Sequence, residues 1–382
     1  MYTAKLLTLL THINVQIATH NNTLYVHNFS VKMLNGLSVL GAVDPKELGR
    51  TLTHEHMAME FTHFYREPPS LIADKFKSGF SLERVGYFKQ YPYSSQYNLL
   101  LNDDSAARAV LNDVVEYKRC GGGTIVENST EGLKRNVTFC KEVSKQSAVH
   151  IVAGTGYYIA DVQGQVPLKS GTEEFYNHML KELQEGCVED AGVKAGFIGE
   201  VASVWPIKDF ERKVIKAVGE LQPQVGCGVS FHPHRDPEAP FEIVRLYLEA
   251  GGDKDKCVMS HLDRTLLNNE TLLEFSNLGV YCQFDLFGTE VSLYQLNLPT
   301  DMPSDAQRID MIKLLVDEGK EDKILMSHDI HTKHRLIDFG GHGYCHIYNN
   351  VLPKMKVKGF SEQLINKITI DNPARWLATP KN

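Results

Sequence analysis

Cysteine is sparse and unpatterned in these 382 residues: there are seven, none in a C-x-x-C pair. No even-numbered disulfide framework is visible, so the thiols suit a reducing compartment, the cytoplasm, where most would be buried and inert. Long hydrophobic runs are missing as well, since no stretch approaches the roughly 18 apolar residues of a membrane span. An excess of positive charge is also lacking. The formal net charge is -7, which argues against a surface for nucleic acid, where a basic stripe is needed. Finally, no G-x-G-x-x-G opens a helix after the first strand, which weakens a dinucleotide-binding fold.

What is present looks like a soluble globular enzyme, with 42% hydrophobic and 23% charged residues. The length accommodates one large α/β domain or two average ones. Histidine is more frequent than expected, at sixteen. Residues 1–32 read as an extension, disordered or cleaved. Its run Leu6-Leu7-Thr8-Leu9-Leu10 after Lys5 faintly resembles a targeting segment, but His12, Asn14, Gln16 and His20 interrupt it. Residues 33–382, with Met33 an equally good start, read as a single domain without linker or internal repeat.

The pattern of that domain is strand followed by helix. A strand ends in His54-Glu55-His56, and a long irregular stretch, 57–102, follows with a helical piece around Ile72–Phe88. Loops of that length are usually functional. From Asp103 the order is regular, with strands at Thr124–Asn128, His150–Tyr157, Ala195–Val201, Gly228–Pro233, Cys257–His261, Gly279–Asp285 and Lys323–Asp329. Helices are expected at Asp103–Cys120, Leu133–Gln146, Thr172–Glu185, Lys208–Leu221, Pro240–Ala250, Leu266–Asn277 and Asp305–Glu318, with a C-terminal helical region. Eight βα units predict a (β/α)₈ barrel, an α/β fold of the TIM type.

Such barrels place their chemistry where the strands end. Here the strand ends carry His54 and His56, Glu200, His232, His261 and Asp329. Side chains two apart on a strand share a face, so His54 and His56 project together. Each residue alone has an ordinary explanation: a satisfied polar strand end, a helix cap for Glu200, an N-cap for Asp329. Their joint occurrence favours a mixed nitrogen and oxygen site for two divalent ions, zinc or similar, with one carboxylate between them.

The chain resembles the amidohydrolase superfamily and, within it, the phosphotriesterase family. The matching pieces are Gly49–His56, Lys194–Glu200, Phe231-His232-Pro233, Ser260-His261-Leu262-Asp263 and Ser327-His328-Asp329-Ile330. His261-Leu262-Asp263-Arg264 and Gly340-Gly341-His342-Gly343-Tyr344 point to its animal phosphotriesterase-related branch. The resemblance implies that His54, His56 and Asp329 hold the more buried metal, and His232 and His261 the more exposed one. Many family members bridge the metals with a carboxylated lysine ending the fourth strand. Here Lys194 begins that strand and Glu200 ends it, so Glu200 is the expected bridge.

The resemblance further implies an amidase that cleaves N-acetyltaurine and related N-acyl amino acids to acetate and taurine. The nucleophile would be a hydroxide between the metals. Asp329 is the expected catalytic proton acceptor, with His261 assisting through Asp263 or water. A sulfonate asks for cations or N–H groups, for which Arg264, Lys333, His334 and Arg335 are candidates. Glu127, Asn128, Tyr157 and Tyr158, at the ends of the second and third strands, are candidates for the pocket wall. The implied partner is a small acylated amine, with a homodimer left open. Two rivals stand beside this reading. One is a lactonase or organophosphate hydrolase using the same metals; the other is a non-catalytic binding protein with a vestigial site.

Overall fold

The computed structural model describes residues 17–20, 23–26 and 34–380. The expected extension, 1–32, lies mostly outside them; within it, Ile17–His20 and Thr23–Val26 pair antiparallel. Eight parallel strands form the barrel: β1 Arg50–Glu55, β2 Gly122–Glu127, β3 His150–Thr155, β4 Phe197–Ala202, β5 Val229–His232, β6 Cys257–Met259, β7 Tyr281–Phe284 and β8 Ile324–Met326. Each pairs with its neighbour in chain order. Nearly every strand residue is buried, as expected when helices cover one face and the barrel interior the other.

The seam between β8 and β1 is closed by side chains as well as backbone. The Asp329 amide donates to the His54 carbonyl at 3.0 Å, and the His54 amide donates to Ser327 Oγ at 3.0 Å. Glu55 points away from its two histidine neighbours and accepts from Ser327 Oγ, the His328 amide and the Ile330 amide at 2.8–2.9 Å. His328 Nδ1 stands 2.8 Å from the same carboxylate. One buried glutamate therefore sets the loop that presents Asp329.

At the other mouth, segments that flank the barrel form the floor. Leu34–Ser38 pairs with Gly41–Val43 and with Thr379–Pro380. The helix Asn372–Leu377 inserts Trp376, whose ring meets Phe197 edge-on at 5.5 Å and whose Nε1 donates to the Lys256 carbonyl.

The outer helices that follow β1 to β7 are α1 Asp104–Arg119, α2 Val137–Ser147, α3 Thr172–Gln184, α4 Asp209–Val225, α5 Ala239–Glu249, α6 Asn269–Ser276 and α7 Asp305–Asp317. Two begin three or four residues later than their apolar pattern predicts, because an asparagine caps them. Asn136 accepts from the Phe139 amide, so α2 starts at Val137 instead of Leu133. Asn268 accepts from the Glu270 and Thr271 amides, splitting the helix expected over Leu266–Asn277 from a short turn, Leu262–Thr265. The single helical piece expected around Ile72–Phe88 is two, Ser70–Phe76 and Val85–Gln90, separated by a polar stretch containing Ser78 and Gly79. Among the described residues no helix is long and apolar enough to cross a membrane.

Asp113 of α1 is buried under this outer layer, where its carboxylate accepts from the Ile337 amide at 3.1 Å. Burial, helped by Asp338 and Glu116, pushes its carboxyl up to about 7. The folded chain therefore keeps a proton that the unfolded chain releases in the ordinary carboxylate range. Stability should fall as pH rises between that range and about 7. Asp113→Asn removes the titration yet keeps an acceptor for Ile337. Melting curves should show it more stable than wild type above neutrality by on the order of 2–4 kcal/mol, with the difference gone in mild acid.

Candidate metal centre

His54 and His56 sit at the end of β1 on the barrel's interior side and face Glu200, His232, His261 and Asp329, all buried. The six expected ligands come together. His54 Nε2 stands 3.4 Å from Glu200 Oε2 and 3.8 Å from Asp329 Oδ1, and His56 Nε2 stands 3.1 Å from the same Asp329 oxygen. His232 turns Nδ1 inward, 2.7 Å from Glu200 Oε2 and 2.9 Å from His261 Nε2. His261 and Asp329 are also two of only four described non-glycine residues with positive φ, at 57° and 54°. That uncommon backbone turns both side chains at the strand ends.

The outer edges of the rings are held. His54 Nδ1 is 3.1 Å from Ser260 Oγ and 3.2 Å from Asp285 Oδ2, while His261 Nδ1 is 2.7 Å from Asp285 Oδ1. His56 Nδ1 meets Ser129 Oγ at 3.0 Å. A proton on the outer nitrogens of His54 and His261 leaves the inner lone pairs free, as metal ligands require. Burial would push His54 down and Glu200 up. The facing charges prevail, so Asp285 and Glu200 hold His54 well above its ordinary value, and His232 and His54 hold Glu200 well below. Asp329 is likewise held down against burial by His331 and His56. His232 moves the other way, pushed down by burial and by His261.

These residues fit divalent cations. His54 Nε2 is buried without a hydrogen-bond partner. The ligand atoms of His54, His56 and Asp329 lie within 4.8 Å of one another, and so do those of His54, Glu200 and His261. Donors around a four-coordinate zinc are separated by about 3.3 Å, given bonds near 2.0–2.1 Å. His56 with Asp329 and His54 with Glu200 stand near that spacing, at 3.1 and 3.4 Å, while His232 lies closer to Glu200 and His261, at 2.7 and 2.9 Å. His54 belongs to both trios, and His232 reaches the second through Glu200 and His261.

Of the other candidates, Tyr158 and Arg264 line the cavity over this cluster, together with Phe61, Tyr93, Arg235 and Tyr294. Six candidates do not line it, among them His334 and Arg335, which border a neighbouring cavity. Glu127 is spent on the Met57 and Ser129 amides, and Asn128 on the Thr53 and Val126 carbonyls. Tyr157 turns away from Tyr158 to pack against Phe175 and Phe210. Lys333 pairs with Asp103 over the Tyr97 ring. The helper expected for His261 is also corrected. Asp263 binds Arg308 Nε and the Leu286 amide, and Asp285 is the carboxylate on His261.

Sequence reasoning missed three further residues. Asp285 closes β7 and holds two histidines. Arg235 follows His232 by three and lines the cavity. His331 follows Asp329 by two, with Nδ1 3.2 Å from Asp329 Oδ2 and Nε2 3.1 Å from the Tyr93 hydroxyl. A polar residue ending a strand was the usable signal for Asp285. For the two loop residues the sequence held none.

The profile of the phosphotriesterase family matches residues 35–377. A phosphotriesterase-related protein of Drosophila ananassae is 54% identical over 342 residues, which cover 89% of this chain and 98% of that protein. Among solved structures, a resiniferatoxin-binding protein from Rhodobacter sphaeroides superposes with a TM-score of 0.85 at 23% identity, covering 90% of this chain and 94% of its own. A lactonase from Listeria monocytogenes superposes with a TM-score of 0.71 at 22% identity, covering 91% and 100%. The structural likenesses speak for the fold, and the profile and the fly relative for descent: the chain belongs to the phosphotriesterase family of metal-dependent hydrolases.

Proposed function

We propose that this hydrolase cleaves the amide bond of N-acetyltaurine and related N-acyl amino acids, with His54, His56, Glu200, His232, His261 and Asp329 holding two divalent ions, zinc or similar. One observation carries the substrate class. Arg264, buried, and Arg235, half-buried, both line the cavity over the cluster, and neither has a carboxylate within ion-pair distance among the described residues. Arg264 Nη2 rests on the Pro233 carbonyl and the His232 edge, and Arg235 on the Tyr294 hydroxyl. A guanidinium taken out of water without a counter-charge is costly, and a planar fork beside a cavity suits a sulfonate or carboxylate. A neutral lactone or phosphotriester would leave both charges unanswered.

Bound ions lower the pKa of water and polarise the scissile oxygen. The chain supplies the rest. Asp329 Oδ2, oriented by His331, accepts the proton of the attacking water and passes it to the leaving nitrogen as the carbon–nitrogen bond breaks. An amine needs that proton, because it leaves poorly as an anion. Tyr158, 3.3 Å from His232 Nε2, is kept protonated by burial and remains a donor on the cavity wall. The two arginines fix the anionic end and so place the amide over the cluster.

The test compares N-acetyltaurine, a long-chain lactone and a phosphotriester on one metal-loaded preparation. The highest kcat/KM is expected for N-acetyltaurine. Arg264→Met should lower it about 100-fold, the scale of a lost charge-assisted contact, and leave the lactone rate nearly unchanged. A lactone or phosphotriester preferred by the wild-type protein would overturn the amidase reading.

A further inference from the structure

A second and larger cavity, of about 210 Å³, lies beside the metal cluster. Tyr93, Thr289 and His331 line both spaces, yet no step of the hydrolysis above uses the larger one. Its wall is rich in donors. Arg335 is 4% exposed and has no carboxylate within ion-pair distance among the described residues. Its Nη1 and Nη2 donate to the Asp329 and Phe287 carbonyls at 2.6 and 2.8 Å, and its Nε has no partner. The hydroxyls of Thr289 and Thr332 are buried and unpartnered too. Three side chains with orphaned polar atoms thus border one cavity, where unmet buried groups are otherwise rare.

His334 adds a donor of fixed identity. Asn98 Oδ1 accepts from the His334 amide at 2.8 Å, so Asn98 Nδ2 is the group that faces His334 Nδ1 at 3.1 Å. The ring nitrogen must accept there, which leaves the proton on Nε2. Lys89, exposed, brings a further positive charge to the wall. The lining holds one carboxylate, Glu290, and its Oε1 accepts from the Asp305 amide at 2.8 Å.

We propose that this cavity is a second ligand site that takes a compact oxyanion, a sulfonate, carboxylate or inorganic sulfate. An oxyanion supplies the counter-charge that Arg335 lacks, offers acceptor oxygens to His334 Nε2 and Lys89, and lies against the two threonines. The occupant is a free anion, since on the proposed function Arg235 and Arg264 hold the substrate's own anionic end.

Calorimetry and melting curves of the metal-loaded protein in sodium sulfate, against sodium chloride at matched ionic strength, test the site without turnover. Sulfate is expected to bind and to raise Tm beyond chloride. Lys89→Glu, an exposed change outside the hydrolytic machinery, and Thr332→Val, nearly isosteric, should each weaken sulfate binding about tenfold at unchanged metal content. Sulfate that raises KM for N-acetyltaurine at constant kcat would overturn the proposal, because it would put the anion on Arg235 and Arg264. Binding with KM unchanged is the expected result. No sulfate-specific effect on the wild type would overturn the proposal, as would sulfate binding unchanged in both variants, which would put the anion on Arg235 and Arg264 instead.

Discussion

Replacing Asp329 by asparagine should lower kcat by about 10³-fold, within the range of a lost general base, while the protein still binds its metals and melts like wild type. Two features make this change informative. Asp329 offers two oxygens with different neighbours: Oδ1 faces His56 at 3.1 Å, and Oδ2 faces His331 at 3.2 Å. The asparagine carbonyl can still stand at the first position, and His54 and His56 keep their places through Asp285, Ser260 and Ser129. Lost is the charge that takes a proton from water. KM should change little, since the anionic end of the substrate is bound elsewhere. Turnover near the wild-type rate would show that another group accepts the proton. Loss of metal along with turnover would make Asp329 a ligand first and leave its role as a base unsupported.

Much of this molecule is legible in its sequence, for a physical reason. A parallel strand buried on both faces is a short run of β-branched and aromatic residues, and a polar side chain at its end stands out against that background. His54, Glu200, His232, His261 and Asp329 all stand out in this way. The strand order, the barrel and the set of converging ligands follow from them.

Other features lack such a signal. Glu55 lies between two histidines, and only the alternation of the strand shows that it serves the opposite task, holding the loop after β8. Lys333 reads as a loop cation until its partner is known, and that partner, Asp103, is 230 residues away. Loop side chains have no periodicity to give their direction, so Arg235 carries no signal, whereas Glu127, the last residue of β2, turns to the Met57 and Ser129 amides, contacts that strand alternation does not reveal. Asparagine caps shifted two helix starts by a few residues, a local effect that an apolar pattern does not register.

Glu200 stands at the centre of the whole account. Its Oε2 lies 2.7 Å from His232, 3.4 Å from His54 and 3.9 Å from His261, and its Oε1 lies 3.6 Å from His56. It faces all four histidines, whereas Asp329 faces only His54 and His56 among them. As a glutamate it is complete as translated, without the carbon dioxide that a carboxylated lysine needs. Taking away its charge leaves four imidazoles around a space for two dications, with one carboxylate at its edge. The second ion should then be lost first, since neutral ligands alone do little to offset the repulsion between two dications. Hydrolysis should fall at least as far as in Asp329→Asn. Metal content per folded chain, measured by elemental analysis on wild type and Glu200→Ala after identical loading and desalting, tests this directly. Two divalent ions are expected in the wild type and one or fewer in the variant. A wild type without such metals, or a variant that still holds two, would contradict the account.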